Sequence, residues 1–211
     1  MDCMPNGSLK DAINERGRGF DEGGIARVAE RVLRGLRYLH GLGIVHGDIN
    51  PSNLLVDEGG EIKIADFGAS RVVVDGAEGN TIESAERGGT CAYMSPERFD
   101  CEGFGGGGDG GGFAGDVWAL GVVVLECYLG RFPLVGAGER ADWATLMCMV
   151  RFGGMPEVPV KASREFRGFV ERCLEKEWRR RGTVGELLEH PFLEMRSSSC
   201  PVMEGFAGDG G

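Results

Sequence analysis

The feature that most restricts how this chain can fold is the apolar segment at residues 116–129. It is apolar nearly all round, so a helix here must be enclosed by other elements. Its most apolar part, residues 117–125, is too short to span a bilayer and contains Gly121. The segment therefore predicts a buried central helix.

Two helices are predicted before it. Ser8 and Asp11 form a capping-box pattern, which begins a short helix. A second helix has one apolar face at helical spacing, and Gly41 and Gly43 end it. That face consists of Ile25, Val28, Ala29, Val32, Leu33, Leu36 and Leu39.

A small hairpin is predicted from residues 54–56 and 61–64. After residue 68 the periodicity disappears until about residue 116, and a compact domain carries so long a loop only for a purpose. Amphipathic helices follow near residues 143–152 and 163–176, and Thr183 begins the last one, with Glu186 completing a capping box. The fold class predicted is mainly α.

Composition narrows the function classes. The formal net charge is −10, which disfavours a nucleic-acid partner, because such partners need a basic face. Seven cysteines without CxxC spacing, and no signal peptide, favour reduced thiols in a cytoplasmic protein that is not membrane-inserted. The glycine-rich tract at residues 103–112 predicts a flexible loop, and residues 194–211 predict a disordered tail.

Four motifs occur in a fixed order: His46-Gly-Asp-Ile-Asn-Pro-Ser-Asn53, Asp66-Phe-Gly68, Ser95-Pro-Glu97 and Asp116-Val-Trp-Ala-Leu-Gly121. A lone DFG is weak, but the four in this order and spacing resemble the signature of a protein kinase. Further stretches, among them Ala92-Tyr-Met-Ser-Pro-Glu-Arg98 and Leu187-Leu-Glu-His-Pro-Phe-Leu193, resemble plant-type MAP kinase kinases.

This resemblance implies that residues 1–193 are the C-terminal lobe of a kinase domain, a helical bundle whose small hairpin carries the catalytic loop and the DFG motif. Residues 46–53 would be the catalytic loop and residues 66–97 the activation segment, with residues 103–112 as an insertion. The glycine-rich phosphate loop, the VAIK-type lysine and the helix-C glutamate of an N-terminal lobe are expected to be absent from these 211 residues.

The resemblance also implies roles for single residues. Asp48 would accept the proton of the substrate hydroxyl, and Thr90 would lie beside the substrate. Asn53 and Asp66 would hold the Mg²⁺ ions that bridge the phosphates of ATP, since oxygen ligands suit this hard cation. Leu55 would lie beneath the adenine.

Other roles follow from the same likeness. Glu97 would pair with Arg181, and Asp116 would hold the backbone of the catalytic loop. MAP kinase kinases phosphorylate Thr and Tyr in the activation loop of a MAP kinase. The partners implied are therefore a MAP kinase substrate and an upstream activating kinase, in the cytoplasm and also in the nucleus.

Two substitutions leave an alternative open. Gly47 stands where the HRD motif has arginine, and Asn50 where a lysine normally faces the transferred phosphate. Glu86 stands at a position expected for a phosphorylated residue, and the resemblance implies that Arg71 is its nearest cation. Two functions therefore remain: a piece of an active kinase, or an impaired pseudokinase or fragment that binds MAP kinases as a scaffold.

Overall fold

The computed structural model describes residues 7–57, 60–73, 90–99, 110–134, 143–154 and 156–195. Its seven described helices are listed in chain order: α1 (Leu9–Arg16), α2 (Glu22–Gly41), α3 (Pro96–Phe99), α4 (Gly110–Leu129), α5 (Trp143–Phe152), α6 (Arg164–Cys173) and α7 (Val184–Leu188). Four short strands accompany them: β1 (Ile44–Val45), β2 (Leu54–Val56), β3 (Ile62–Ile64) and β4 (Arg71–Val72).

The core forms around α4, which packs against α2 and α6. The predicted apolar face of α2 is buried along its whole length. From α6, the side chains of Phe166, Phe169 and Val170 are fully buried beside α4. The mainly α fold class is confirmed, because helices form most of the described chain and the strands occur only in two-stranded pairs.

The two strand pairs present the loops that carry the motifs. β2 and β3 are antiparallel, with Leu54 opposite Ile64, and β1 and β4 are antiparallel, with Val45 opposite Arg71. Residues 46–53 therefore connect β1 to β2, while residues 65–70 connect β3 to β4. Each connection joins the β1–β4 pair to the β2–β3 pair, so the two connections lie next to each other.

Local sequence signals explain several helix ends. Ser8 and Asp11 form the predicted capping box, as do Thr183 and Glu186 at α7. α2 ends at Gly41, and Gly43 follows with a positive φ of 72° that glycine adopts without steric cost.

The predicted start of the central helix was wrong. α4 begins at Gly110, so the last three residues of the glycine-rich tract are helical and not a flexible loop. Gly111 and Gly112 are buried, and a Cβ on Gly112 would lie 2.4 Å from the guanidinium of Arg71. Close packing against neighbours overrides the low helix propensity of glycine here. Residues 103–109 lie outside the described chain.

The predicted boundary of the tail also needs correction. A 3₁₀ turn covers Pro191–Met195, so residues 194 and 195 belong to the folded part. The Met195 sulfur lies 3.9 Å from the Ser163 hydroxyl at the start of α6. Residues 196–211 lie outside the described chain.

α4 is also the one helix in the described ranges that is long and apolar enough to cross a membrane. Within its most apolar window, 78% of the residues are buried inside the protein. This degree of burial is typical of a core helix, as the sequence predicted.

A buried ion pair joins the Ser95-Pro-Glu97 motif to the C-terminal helices. Arg181 donates from both terminal nitrogens to Glu97, at 2.6 and 2.9 Å, and both side chains are almost fully buried. Arg181 also donates to the carbonyl of Ala114 at 2.8 Å. The predicted Glu97–Arg181 pair is confirmed, and it ties α3 and α4 to the loop that precedes α7.

Arg181→Ala should lower the free energy of unfolding by about 3–5 kcal/mol, because it leaves the Glu97 carboxylate buried without its partner. Arg34→Ala is the matched control, since Arg34 forms an exposed i,i+4 pair with Glu30 and should cost less than about 1 kcal/mol. Chemical denaturation of the two variants measures both losses. Equal losses would show that the buried pair contributes no more than a surface pair.

Candidate active site

One carboxylate of α4 holds the backbone of the catalytic loop. Asp116 is 1% exposed; its Oδ1 accepts the N–H of Gly47 at 2.8 Å, and its Oδ2 accepts the N–H of His46 at 2.9 Å. His40 Nε2 lies 2.9 Å from the same Oδ2. The predicted role of Asp116 is confirmed, and His40 of α2 is a partner that the sequence did not reveal.

Three of the predicted site residues donate hydrogen bonds to a fourth, Asp48. Its Oδ1 accepts the backbone N–H of Thr90 at 2.7 Å and the Asn50 amide at 3.0 Å. Its Oδ2 accepts the Asn53 amide at 2.9 Å. The Asp48 side chain is thus oriented by three donors, from the loop itself and from the end of the activation segment.

Asn50 takes a bridging position. Its Nδ2 also lies 3.2 Å from the Thr90 hydroxyl, and its Oδ1 accepts the N–H of Ser52 at 2.9 Å. The side chain is almost completely buried. A neutral amide therefore connects the Asp48 carboxylate to Thr90, where the resemblance implies a lysine.

Asn53 and Asp66 offer oxygen ligands at one end of the hairpin. The N–H of Ala65 donates to the Asn53 carbonyl at 2.9 Å, which places the neighbouring Asp66 beside the catalytic loop. The Asp66 side chain is exposed, and its Oδ1 accepts the N–H of Gly68 at 3.1 Å. Within the described part of the chain, Asp66 is the one non-glycine residue with a positive φ, 59°.

This donor set fits Mg²⁺. The Asn53 amide nitrogen is taken up by Asp48, which leaves its side-chain oxygen as a ligand, and Asp66 supplies an exposed carboxylate. Mg²⁺ typically binds through one or two such groups and completes its shell with water and substrate phosphates. The roles of both residues stay predictions.

Leu55 lies in the middle of β2, where it is half-buried and forms an antiparallel bridge with Ser8 at the start of α1. Its neighbours Leu54 and Val56 point to the opposite face and are fully buried. Leu55 is therefore on the accessible face of the strand, and its role beneath an adenine stays a prediction.

Gly47 has a backbone conformation that suits glycine alone. Its φ is 78°, and a Cβ at this position would lie 2.8 Å from the carbonyl oxygen of Ala69. A side chain at position 47 would require this backbone or the Ala69 carbonyl to shift. The local structure of the loop thus disfavours the HRD arginine at this position.

A different arginine lies close to position 47, because Arg98 Nη1 donates a hydrogen bond to the Gly47 carbonyl. Burial lowers the pKa of Arg98, whereas the nearby Asp116 acts in the opposite direction and Arg71 adds to the lowering. Because a guanidinium stays protonated in proteins, the Arg98 side chain carries a positive charge beside the catalytic loop. Sequence reasoning missed this contact, although Arg98 directly follows the Ser95-Pro-Glu97 motif.

Comparison with known proteins agrees with this geometry. The family model described as "Protein kinase domain" matches residues 1–193. The chain belongs to the protein kinase family.

Within that family the chain is similar to MAP kinase kinases of Arabidopsis thaliana. It is 56% identical to mitogen-activated protein kinase kinase 10, over 93% of this chain and 61% of that protein. It is 49% identical to mitogen-activated protein kinase kinase 9 and 45% identical to mitogen-activated protein kinase kinase 7, over 92% of this chain and 59% of each relative. The chain thus spans about three fifths of the length of these relatives.

Gly47→Ala should destabilise the protein more than Gly17→Ala. Both glycines have positive φ, and an alanine there costs roughly 1–2 kcal/mol. Gly17 has no heavy atom within 4 Å of the added Cβ, whereas the Cβ at Gly47 meets the Ala69 carbonyl, which should add at least about 1 kcal/mol. Denaturant titration compares the two variants, and equal losses would contradict the close approach at Gly47.

Proposed function

We propose that this chain is the C-terminal lobe of a MAP kinase kinase, which transfers the γ-phosphate of ATP to Ser/Thr and Tyr hydroxyls in the activation loop of a MAP kinase. The observation that carries the proposal is the hydrogen-bonded group of Asp48, Asn53 and Thr90 on a loop anchored by Asp116. Phosphoryl transfer depends more on how the catalytic side chains are positioned than on covalent chemistry by the protein. Here hydrogen bonds hold Asp48, Asn53 and Thr90 in fixed positions relative to one another.

Asp48 would receive the proton of the substrate hydroxyl. A carboxylate offers about four lone-pair positions, and the described contacts leave acceptor capacity on Oδ2, which receives only the Asn53 amide. The donors on Oδ1 fix the plane of the carboxylate. Thr90, exposed beside it, would line the place where the hydroxyl enters.

Asn53 and Asp66 would hold Mg²⁺, which neutralises charge on the phosphates of bound ATP. Asp66 is held in its left-handed conformation in part by its hydrogen bond to the Gly68 N–H. Such a conformation costs of order 1–3 kcal/mol, and functional sites are where such costs are commonly retained.

A catalytically impaired scaffold is the second candidate, and two observations favour it. Asn50 supplies no positive charge at the position of the lysine, and Gly47 stands at the position of the HRD arginine, in a conformation that disfavours a side chain. In that case the chain would bind a MAP kinase without phosphorylating it.

The partners and location follow from the same proposal. A MAP kinase would be the substrate and an upstream kinase would be the activator, acting in the cytoplasm and the nucleus. Within the activation segment through which such control would act, residues 74–89, which include Glu86, lie outside the described chain.

Joining the chain to the N-terminal part of a MAP kinase kinase separates the two candidates. With Mg-ATP and a MAP kinase, the active-kinase proposal expects phosphorylation that Asp48→Asn abolishes, while the exposed control Glu189→Gln leaves it unchanged. Phosphate incorporation measures the outcome. Binding of the MAP kinase without incorporation would support the scaffold instead.

Asn50→Lys in the same chimera should raise turnover by up to about 100-fold, because an ammonium would stabilise charge on the transferred phosphate. The measurement is kcat at saturating ATP. An unchanged kcat would show that the bridging amide already replaces the lysine.

The 211-residue chain by itself should show no saturable Mg-ATP binding in the micromolar range. A ligand-binding site usually encloses most of its ligand, and this chain contributes one wall of the adenine site in the proposed arrangement. Isothermal calorimetry tests this, and micromolar affinity would contradict the proposed division into two lobes.

A further inference from the structure

A buried carboxylate outside the kinase motifs connects three elements. Glu126 of α4 is 0% exposed, and its two oxygens have different partners. Oε1 accepts from the Lys10 ammonium of α1 at 2.7 Å, and Oε2 accepts from the Tyr93 hydroxyl at 2.5 Å. Each oxygen of the buried carboxylate is therefore satisfied by a donor from a different part of the chain.

Tyr93 carries this contact to the candidate active site. It ends the 3₁₀ turn Cys91–Tyr93, and its N–H donates to the Thr90 carbonyl at 2.9 Å. The N–H of Thr90 in turn donates to Asp48 Oδ1 at 2.7 Å. A continuous set of hydrogen bonds thus runs from Lys10 through Glu126, Tyr93 and Thr90 to Asp48.

The surroundings of Tyr93 keep it a hydrogen-bond donor. Burial raises the pKa of the Tyr93 phenol, and the neighbouring Glu126 raises it further. The ring also packs edge-to-face on Phe132, with centroids 5.6 Å apart. The phenol therefore has one favoured position, and that position depends on where the Glu126 carboxylate is held.

Among the described residues, Lys10 is the one positively charged side chain that contacts Glu126, since its other partner, the Tyr93 hydroxyl, is neutral. Removing a charged partner from a buried carboxylate is costly, because the remaining charge stays desolvated. The Lys10 side chain is itself 37% exposed, so a change there leaves no cavity in the core. Its loss should act on Glu126 and its partners more than on the folding of α1.

We propose that Lys10 is a positioning residue for the candidate phosphoryl-transfer site, holding Thr90 against Asp48 through Glu126 and Tyr93. The functional part of this inference rests on the proposed kinase activity, whereas its structural part does not. Lys10 touches no reacting group, so it acts only through the turn that carries Thr90.

Amide hydrogen exchange in the 211-residue chain tests the structural part. Lys10→Met keeps the apolar stem of the side chain and removes the charge, and it should speed exchange of the Thr90 and Tyr93 amides at least about tenfold. Lys10→Arg should restore slow exchange, because it keeps a donor and a charge. Lys63→Met is the matched control, since Lys63 is an exposed lysine on β3 and should leave both amides unchanged.

Tyr93→Phe gives an independent route to the same readout. It leaves the ion pair of Lys10 and Glu126 in place and removes the hydroxyl, so it should speed exchange of the Thr90 amide as Lys10→Met does. The double variant should show no further increase, since both changes interrupt one path. Unchanged exchange in both single variants, or fully additive effects, would overturn the inference.

The functional part is tested in the chimera with an N-terminal lobe. Lys10→Met should lower kcat about tenfold without changing KM for ATP, and Lys10→Arg should return kcat to the unmodified value. If the unmodified chimera transfers no phosphate, the proposed function fails, while the exchange of the Thr90 amide still decides whether Lys10 positions the turn. A lower kcat with unaltered Thr90 exchange would overturn the positioning role.

Discussion

The arrangement of the site depends on the Asp116 carboxylate. It extends from the buried central helix and accepts two consecutive backbone N–H groups of the catalytic loop, those of His46 and Gly47. Because α4 is enclosed by α2 and α6, the carboxylate has little freedom, and the loop inherits that rigidity. Asp48, the next residue, is therefore positioned by the core of the protein and not by the loop alone.

The glycine at position 47 removes a positively charged side chain from this anchored loop, because the HRD motif has arginine there. The N–H of Gly47 is bound by Asp116 and its carbonyl by Arg98, so both sides of the residue are held. Its positive φ and the nearby Ala69 carbonyl disfavour a side chain at this position. The cation that the motif would place here is absent, and Arg98 approaches from α3 instead. Positive charge thus remains behind the loop but reaches it from another element.

Much of the fold was predictable because its signals are local. The capping boxes at Ser8 and Thr183 and the apolar face of α2 depend on residues three or four apart, and all were confirmed. The start of α4 was not predictable in this way. Gly110, Gly111 and Gly112 are helical where α4 packs closely against distant residues such as Arg71, and no local pattern in a glycine run reveals that contact.

The residues of the candidate site also fall into two groups, those that sequence motifs predict and those that only the folded structure brings together. Asp48, Asn53 and Asp66 were predicted as site residues because they stand in motifs, and the structure places the Asn53 amide against the Asp48 carboxylate. Lys10 and Glu126 belong to no motif and are 116 positions apart in the sequence, so only the folded chain brings them together. Their pairing beneath Tyr93 indicates that positioning of the Asp48 carboxylate has two sources. One is the loop itself, whose chemistry is visible in the sequence, and the other is a buried charge whose effect on Thr90 exists only in the fold.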